Sequence, residues 1–221
     1  MVDARRGIVR DALGIAVASG AYAISFGAIS ATSGLTLVQT CFLSLVMFTG
    51  ASQFALVGVI GAGGGVWAGV ATACLLGMRN ALYGLRLSSL LEVRGWRLPV
   101  ASHFVIDETT AMAIARDEPQ KSRFAFWVTG LALFALWNLG TLAGALATRA
   151  LPDPKVLGLD AAPPAAFLAL LAPRLRAREP QAIAAAAGVI ALVVLPFVPA
   201  GVPLLVVAVL VGLYGARSRP R

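Results

Sequence analysis

The sequence predicts an all-α integral membrane protein, a polytopic helical bundle of about seven to eight transmembrane helices. Three observations carry this. The chain is 59% hydrophobic with only 13% charged residues, whereas a soluble domain carries about 25% charged residues. Several apolar runs reach the roughly 20 residues that a spanning helix needs. Strand-like alternation of apolar and polar residues is absent, which favours helices over a closed barrel. Every connecting segment is short, so residues 1–221 read as a single transmembrane domain.

Eight candidate spans follow, at roughly 12–31, 36–60, 66–91, 100–116, 124–148, 158–173, 181–198 and 203–216. The first follows Arg5, Arg6 and Arg10. Its apolar run is longer than the core of a signal peptide, which predicts a retained signal-anchor helix. The fourth is weak in hydropathy because it holds His103, Asp107 and Glu108. The last is short for a full crossing. Pro196, Pro199 and Pro203 bracket a tight turn before it, so the seventh and eighth runs also read as a shallow hairpin.

Charge distribution sets orientation. The net charge is +8, but the basic residues flank apolar runs instead of forming a stripe, so nucleic acid is not an expected partner. With the N-terminus cytoplasmic, twelve basic residues fall inside: Arg5, Arg6, Arg10, Arg116, Lys121, Arg123, Arg174, Arg176, Arg178, Arg217, Arg219 and Arg221. Four fall outside: Arg94, Arg97, Arg149 and Lys155. That bias predicts an even count with both termini cytoplasmic. The Arg94–Arg97 loop dissents; a re-entrant fourth span would bring it inside.

Polar residues within the apolar runs are the candidate site. Thr49, Gly50, Ser52 and Gln53 form a small polar island in the second run. It reads either as a broken helix whose freed amides hold a substrate or as helix packing through small residues. Arg79, Tyr83 and Arg86 share a helix face in the third span. Arg79 lies roughly 20 Å along the axis from Val66, which with Asn80 favours a buried polar role. Arg86 reads as snorkelling to an interface. Asp107 and Glu108 are the expected partners of Arg79 or Arg86, as candidate proton carriers or as a static ion pair. His103 reads as an interfacial residue or a proton relay. Asp160 is placed to cap a helix. Glycines at 61, 65 and 69, and at 140 and 144, mark expected close helix contacts. Cys41 and Cys74 lie in apolar runs and read as small hydrophobes.

Several of these segments together resemble one family. Phe48-Thr49-Gly50-Ala51-Ser52-Gln53-Phe54 is similar to the FAGASQF block of the azaleucine-resistance, branched-chain amino acid permease family (AzlC-like), with Thr49 where alanine is usual. The segment from Gly77 to Leu85 resembles its Arg…Leu-Tyr-Gly block, and Asp107-Glu108 its acidic pair. Leu151 to Pro154 and Leu157 to Phe167 resemble its proline-rich block. The resemblance implies export of branched-chain amino acids across a bacterial inner membrane, with a smaller membrane subunit as partner.

The resulting expectation is a subunit of a proton-coupled secondary exporter of small hydrophobic amino acids. Substrate contacts are expected at Thr49, Gly50, Ser52, Gln53, Arg79, Asn80 and Tyr83, and proton coupling at Asp107 or Glu108. No nucleotide-binding motif is present, and no cofactor or metal is expected. One histidine and no HExxH motif argue against a membrane hydrolase. An assembly subunit whose charges only dock a partner, or a carrier of another small zwitterion, is the alternative.

Overall fold

The computed structural model describes residues 2–150, 168, 171–172, 175–198 and 202–217. These fold into helices α1 (Val2–Thr32), α2 (Leu37–Val46), α3 (Gly50–Gly61), α4 (Val66–Leu91), α5 (Arg97–His103), α6 (Asp107–Ile114), α7 (Pro119–Arg149), α8 (Arg178–Val194) and α9 (Val202–Arg217). A short 3-10 turn, Leu195–Phe197, extends α8. Three helical segments among the described residues are long and apolar enough to cross a membrane: Arg5–Thr32, Pro119–Arg149 and Arg178–Phe197. Helix α4 has the length, at 26 residues, but carries Arg79 and Arg86. The expected sixth span, with Asp160, falls almost wholly outside the described residues.

Helices α1 and α7 form the central pair and run parallel. Their contact depends on missing side chains. A Cβ on Gly140 would overlap the Gly20 carbonyl, and one on Gly144 would overlap the Ile24 carbonyl. A Cβ on Gly27 would meet the Thr141 carbonyl. The expected glycine pair at 140 and 144 is therefore a backbone-to-backbone contact. Gly61 likewise abuts the Ser33 side chain and Gly69 abuts Leu56, whereas Gly65 has open space.

Contacts at the two ends fix the path of the chain. At one end, Arg116 pairs with Asp11 at 3.2 Å and Arg5 lies over the Phe124 ring at 5.3 Å. Arg123 pairs there with Glu92 at 2.5 Å and donates to the Leu90 carbonyl at 3.0 Å. The starts of α1 and α7, the end of α4 and the end of α6 thus share this basic end. At the opposite end, Arg149 donates to the Leu35 carbonyl at 2.7 Å, and the end of α3 meets Ser33.

Two of the expected spans therefore do not cross. The run 36–60 enters from the Leu35 end as α2, breaks at Met47–Thr49 and returns to that end as α3. The run 100–116 enters from the basic end as α5, breaks at Phe104–Ile106 and returns to it as α6. Each leg is 7–12 residues, roughly 10–18 Å at 1.5 Å per residue, about half a bilayer core or less. The Arg94–Arg97 loop consequently lies at the same end as Arg5, Arg6 and Arg10, which removes the dissent in the charge count. A long helix followed by a hairpin occurs twice, as α1-α2-α3 and α4-α5-α6, running in opposite directions.

Local chemistry explains both breaks. Thr49 is extended and its N–H turns back to the Met47 carbonyl at 2.6 Å. Gln53 donates its side-chain amide to the Leu43 carbonyl at 3.0 Å, bracing α3 against the last turn of α2. In the second hairpin, Ile106 is extended. The Thr109 hydroxyl accepts from the Ile106 N–H at 3.1 Å and donates to the Phe104 carbonyl at 2.6 Å. A threonine side chain thus replaces helix hydrogen bonds at the turn.

Candidate functional site

The hairpin tips meet in the middle of the molecule. Phe48 packs on His103, Phe104 and Phe134 with ring centroids 5.8, 6.0 and 5.1 Å apart. The His103 imidazole also bonds to the Leu45 backbone. His103 therefore sits between the C-terminal ends of α2 and α5, in the interior and away from any interface.

The N-terminal ends of α3 and α6 face a cavity of about 580 Å³ beside this aromatic knot. That lies within the range of small-molecule sites. Thr49, Gly50 and Ala51 line it from α3, and Ile106, Asp107 and Glu108 from the start of α6. Arg79 projects from α4. Tyr22, Leu133 and Trp137 give it an apolar wall.

The polar side is strongly charged. Arg79 Nη2 is 2.9 Å from Asp107 Oδ2, the pairing that the sequence suggested for these two helices. Asp107 Oδ1 and Arg79 Nε are buried with no hydrogen-bond partner among the described residues. Glu108 lines the cavity and forms no salt bridge among the described residues. Both helix starts expose amides that no helical carbonyl accepts. Thr49 gives α3 no side-chain cap, and Gly50 and Ala51 at this uncapped start line the cavity. Helix α6 carries Asp107 and Glu108 in its first turn, which offset its own dipole.

The expected site residues separate into two groups. Thr49, Gly50, Arg79, Asp107 and Glu108 converge on the cavity. Ser52 and Gln53 are fully buried and turn away from it; Ser52 faces Gly77 and Gln53 braces α2. Asn80 and Tyr83 also lie outside its lining, with Tyr83 packed against the core. Asp107 starts a new helix, so the run that holds His103 and Asp107 is interrupted at Phe104–Ile106. Sequence reasoning missed Tyr22, Leu133 and Trp137, which look like ordinary apolar residues of long helices. Trp137 packs against Gly50 so closely that a Cβ there would fall 2.8 Å from the ring.

A helical fold with membrane-length apolar segments, closing around a charged interior cavity, defines a polytopic membrane protein. The model of the AzlC protein family matches residues 14–151, which take in most of α1, all of α2 to α7 and most of the cavity lining. The chain belongs to the AzlC family. It is 28% identical over 141 residues to the inner membrane protein YgaZ of Escherichia coli (strain K12), covering 62% of this chain and 58% of YgaZ. It is 30% identical over 175 residues to a membrane protein of Archaeoglobus fulgidus, covering 77% of this chain and 75% of that protein. A membrane protein of Helicobacter pylori (strain J99) is 27% identical over 126 residues, covering 56% of this chain and 55% of that protein. The chain thus spans little more than half the length of YgaZ and of the Helicobacter protein. No solved structure matches.

Proposed function

We propose that this chain is a subunit of a secondary transporter that exports branched-chain, hydrophobic amino acids across a bacterial inner membrane, coupled to protons. The observation that carries the reading is the bipolar cavity where two interrupted helices meet. One side offers open amides at the start of α3 and the Arg79 guanidinium. The other offers Asp107 and Glu108. The remaining wall is apolar and aromatic.

A zwitterion with an aliphatic side chain matches all three surfaces. Its carboxylate suits the α3 amides and Arg79, whose planar fork binds carboxylates in pairs and stays charged. Its ammonium suits Glu108 and the unpartnered oxygen of Asp107. Its side chain suits Tyr22, Leu133 and Trp137. Glu108 is the favoured proton carrier because Asp107 is already held by Arg79. A carboxylate withdrawn from water exchanges its proton as the cavity opens to each side. The opposed hairpins suit alternating access, one gating each end. The clustering of basic residues at one end of the molecule supports a cytoplasmic location for both termini, and a smaller membrane subunit is the proposed partner.

Efflux from proteoliposomes containing this chain, with and without the small subunit, tests the reading. Export of leucine or valine driven by a proton gradient supports it. A fully assembled complex that moves none of these amino acids rejects it. The Arg79–Asp107 pair favours one second reading, a static lock in an assembly subunit. In that case Arg79→Ala abolishes complex formation, whereas a carrier keeps its complex and loses transport.

A further inference from the structure

We propose that the basic end of the molecule carries a binding site for one anionic phospholipid, in the recess between the end of α4, the start of α5 and the start of α7. The recess encloses about 810 Å³ and is walled by Arg94, Trp96, Arg97, Val100, Arg123 and Trp127. It is separate from the central cavity and shares no residue with it.

Charge identifies the headgroup. Arg94, Arg97 and Arg123 contribute three guanidiniums, and Glu92 is the single carboxylate in the lining. Glu92 is taken by Arg123. Arg94 and Arg97 have no carboxylate within salt-bridge distance among the described residues. The recess is thus left with two unneutralised guanidiniums, which suits a headgroup of net negative charge. A guanidinium pair also matches phosphate geometry.

The apolar part identifies a lipid in place of a free anion. Trp96 is 77% exposed with the Arg97 guanidinium 5.3 Å above its ring, while Trp127 is half-buried. Indoles of this kind concentrate at the membrane–water interface, where one edge is wet and the other apolar. Val100 and Trp127 continue the wall along α5 and α7, which gives an acyl chain a path away from the arginines. Basic recesses between helices on the cytoplasmic side suit anionic headgroups in general. The backbone under the site is fixed, because Arg123 ties it to both Glu92 and the Leu90 carbonyl.

The site has a structural consequence. Arg97 is the first residue of α5, so a lipid held there anchors the hairpin that carries Asp107 and Glu108 at its tip.

The test is native mass spectrometry of the purified full chain in detergent, titrated with phosphatidylglycerol or phosphatidylcholine of matched chains. Wild type is expected to retain one phosphatidylglycerol at least tenfold more tightly than phosphatidylcholine. Arg94→Gln with Arg97→Gln is expected to lose that preference, and Arg94→Lys with Arg97→Lys to keep most of it. Equal retention of both lipids by wild type overturns the proposal, as does undiminished preference in the glutamine variant. Should the double glutamine variant not purify as a monodisperse species, Arg97→Gln alone is read by the same two criteria.

Discussion

The two hairpins have the same shape and opposite chemistry. Both enter the interior, break at three residues and return to the end they came from. The first, α2–α3, carries no charged residue. It is held by neutral devices: the Thr36–Gln39 capping box at its entrance and the Gln53 bond to Leu43 at its tip. The second, α5–α6, places two carboxylates at its tip and is tied to α4 by Arg79. A neutral helix start leaves its amides open to an incoming anion, whereas an acidic start has supplied its own. The comparison teaches that one fold element, used twice, makes the two halves of a bipolar site.

The largest effect is expected at the bond that joins the two halves. Arg79→Ala strips Asp107 of its partner and removes the cation from the cavity. Transport should fall to background in proteoliposomes, while co-purification with the small subunit persists. Arg79→Lys keeps the charge but loses the fork, and should weaken substrate binding with partial activity left.

Next comes the acidic tip. Glu108→Gln should abolish accumulation against a gradient while exchange of labelled for unlabelled substrate continues. Paired exchange and net-flux assays separate the two. Should this variant still accumulate substrate as wild type does, Glu108 is not the proton carrier.

The neutral tip is sensitive to volume instead of charge. Gly50→Ala places a methyl group against the Trp137 ring, and such overpacking costs about 1–3 kcal/mol. Binding of leucine is expected to weaken about tenfold by titration, with a smaller loss for alanine. The smallest effect belongs to Gln53→Leu. It removes one neutral hydrogen bond, worth about 1 kcal/mol, and leaves the cavity lining intact. A lower melting temperature with unchanged substrate affinity is the expected pair of readings.

Much of this was legible in the sequence, for definite reasons. Arg79 or Arg86 had to find Asp107 or Glu108 because an intramembrane charge is too costly alone, and the pair that forms is Arg79–Asp107. Glycines at 140 and 144 announced a close helix contact because only a bare backbone permits it. The island at Thr49 signalled an interrupted helix, one of the two readings it allowed. Other features left no such trace. An apolar run long enough to cross reads the same whether it crosses or turns back, since hydropathy has no direction. The one hint was electrostatic: Arg94 and Arg97 sat on the minority side of an eight-span count, and a returning fourth segment resolves that. Trp137 and Tyr22 were illegible as site residues because nothing in an apolar helix distinguishes a cavity wall from a packed face. Ser52 and Gln53 stood out as polar, yet neither lines the cavity; Gln53 braces the turn, and the Ser52 hydroxyl is buried without a hydrogen-bond partner among the described residues.

Cysteine accessibility tests the opposed hairpins most directly. In a Cys41→Ala, Cys74→Ala background, single cysteines are introduced by Gly34→Cys, Gly63→Cys, Gly95→Cys and Asp117→Cys. Each is then labelled with a membrane-impermeant maleimide applied to one side at a time. The account predicts that positions 34 and 63 label from one side, and positions 95 and 117 from the other. Labelling of 34 and 63 from opposite sides, or of 95 and 117 from opposite sides, would show that those segments cross the membrane and would contradict the meeting of two hairpins at a central cavity.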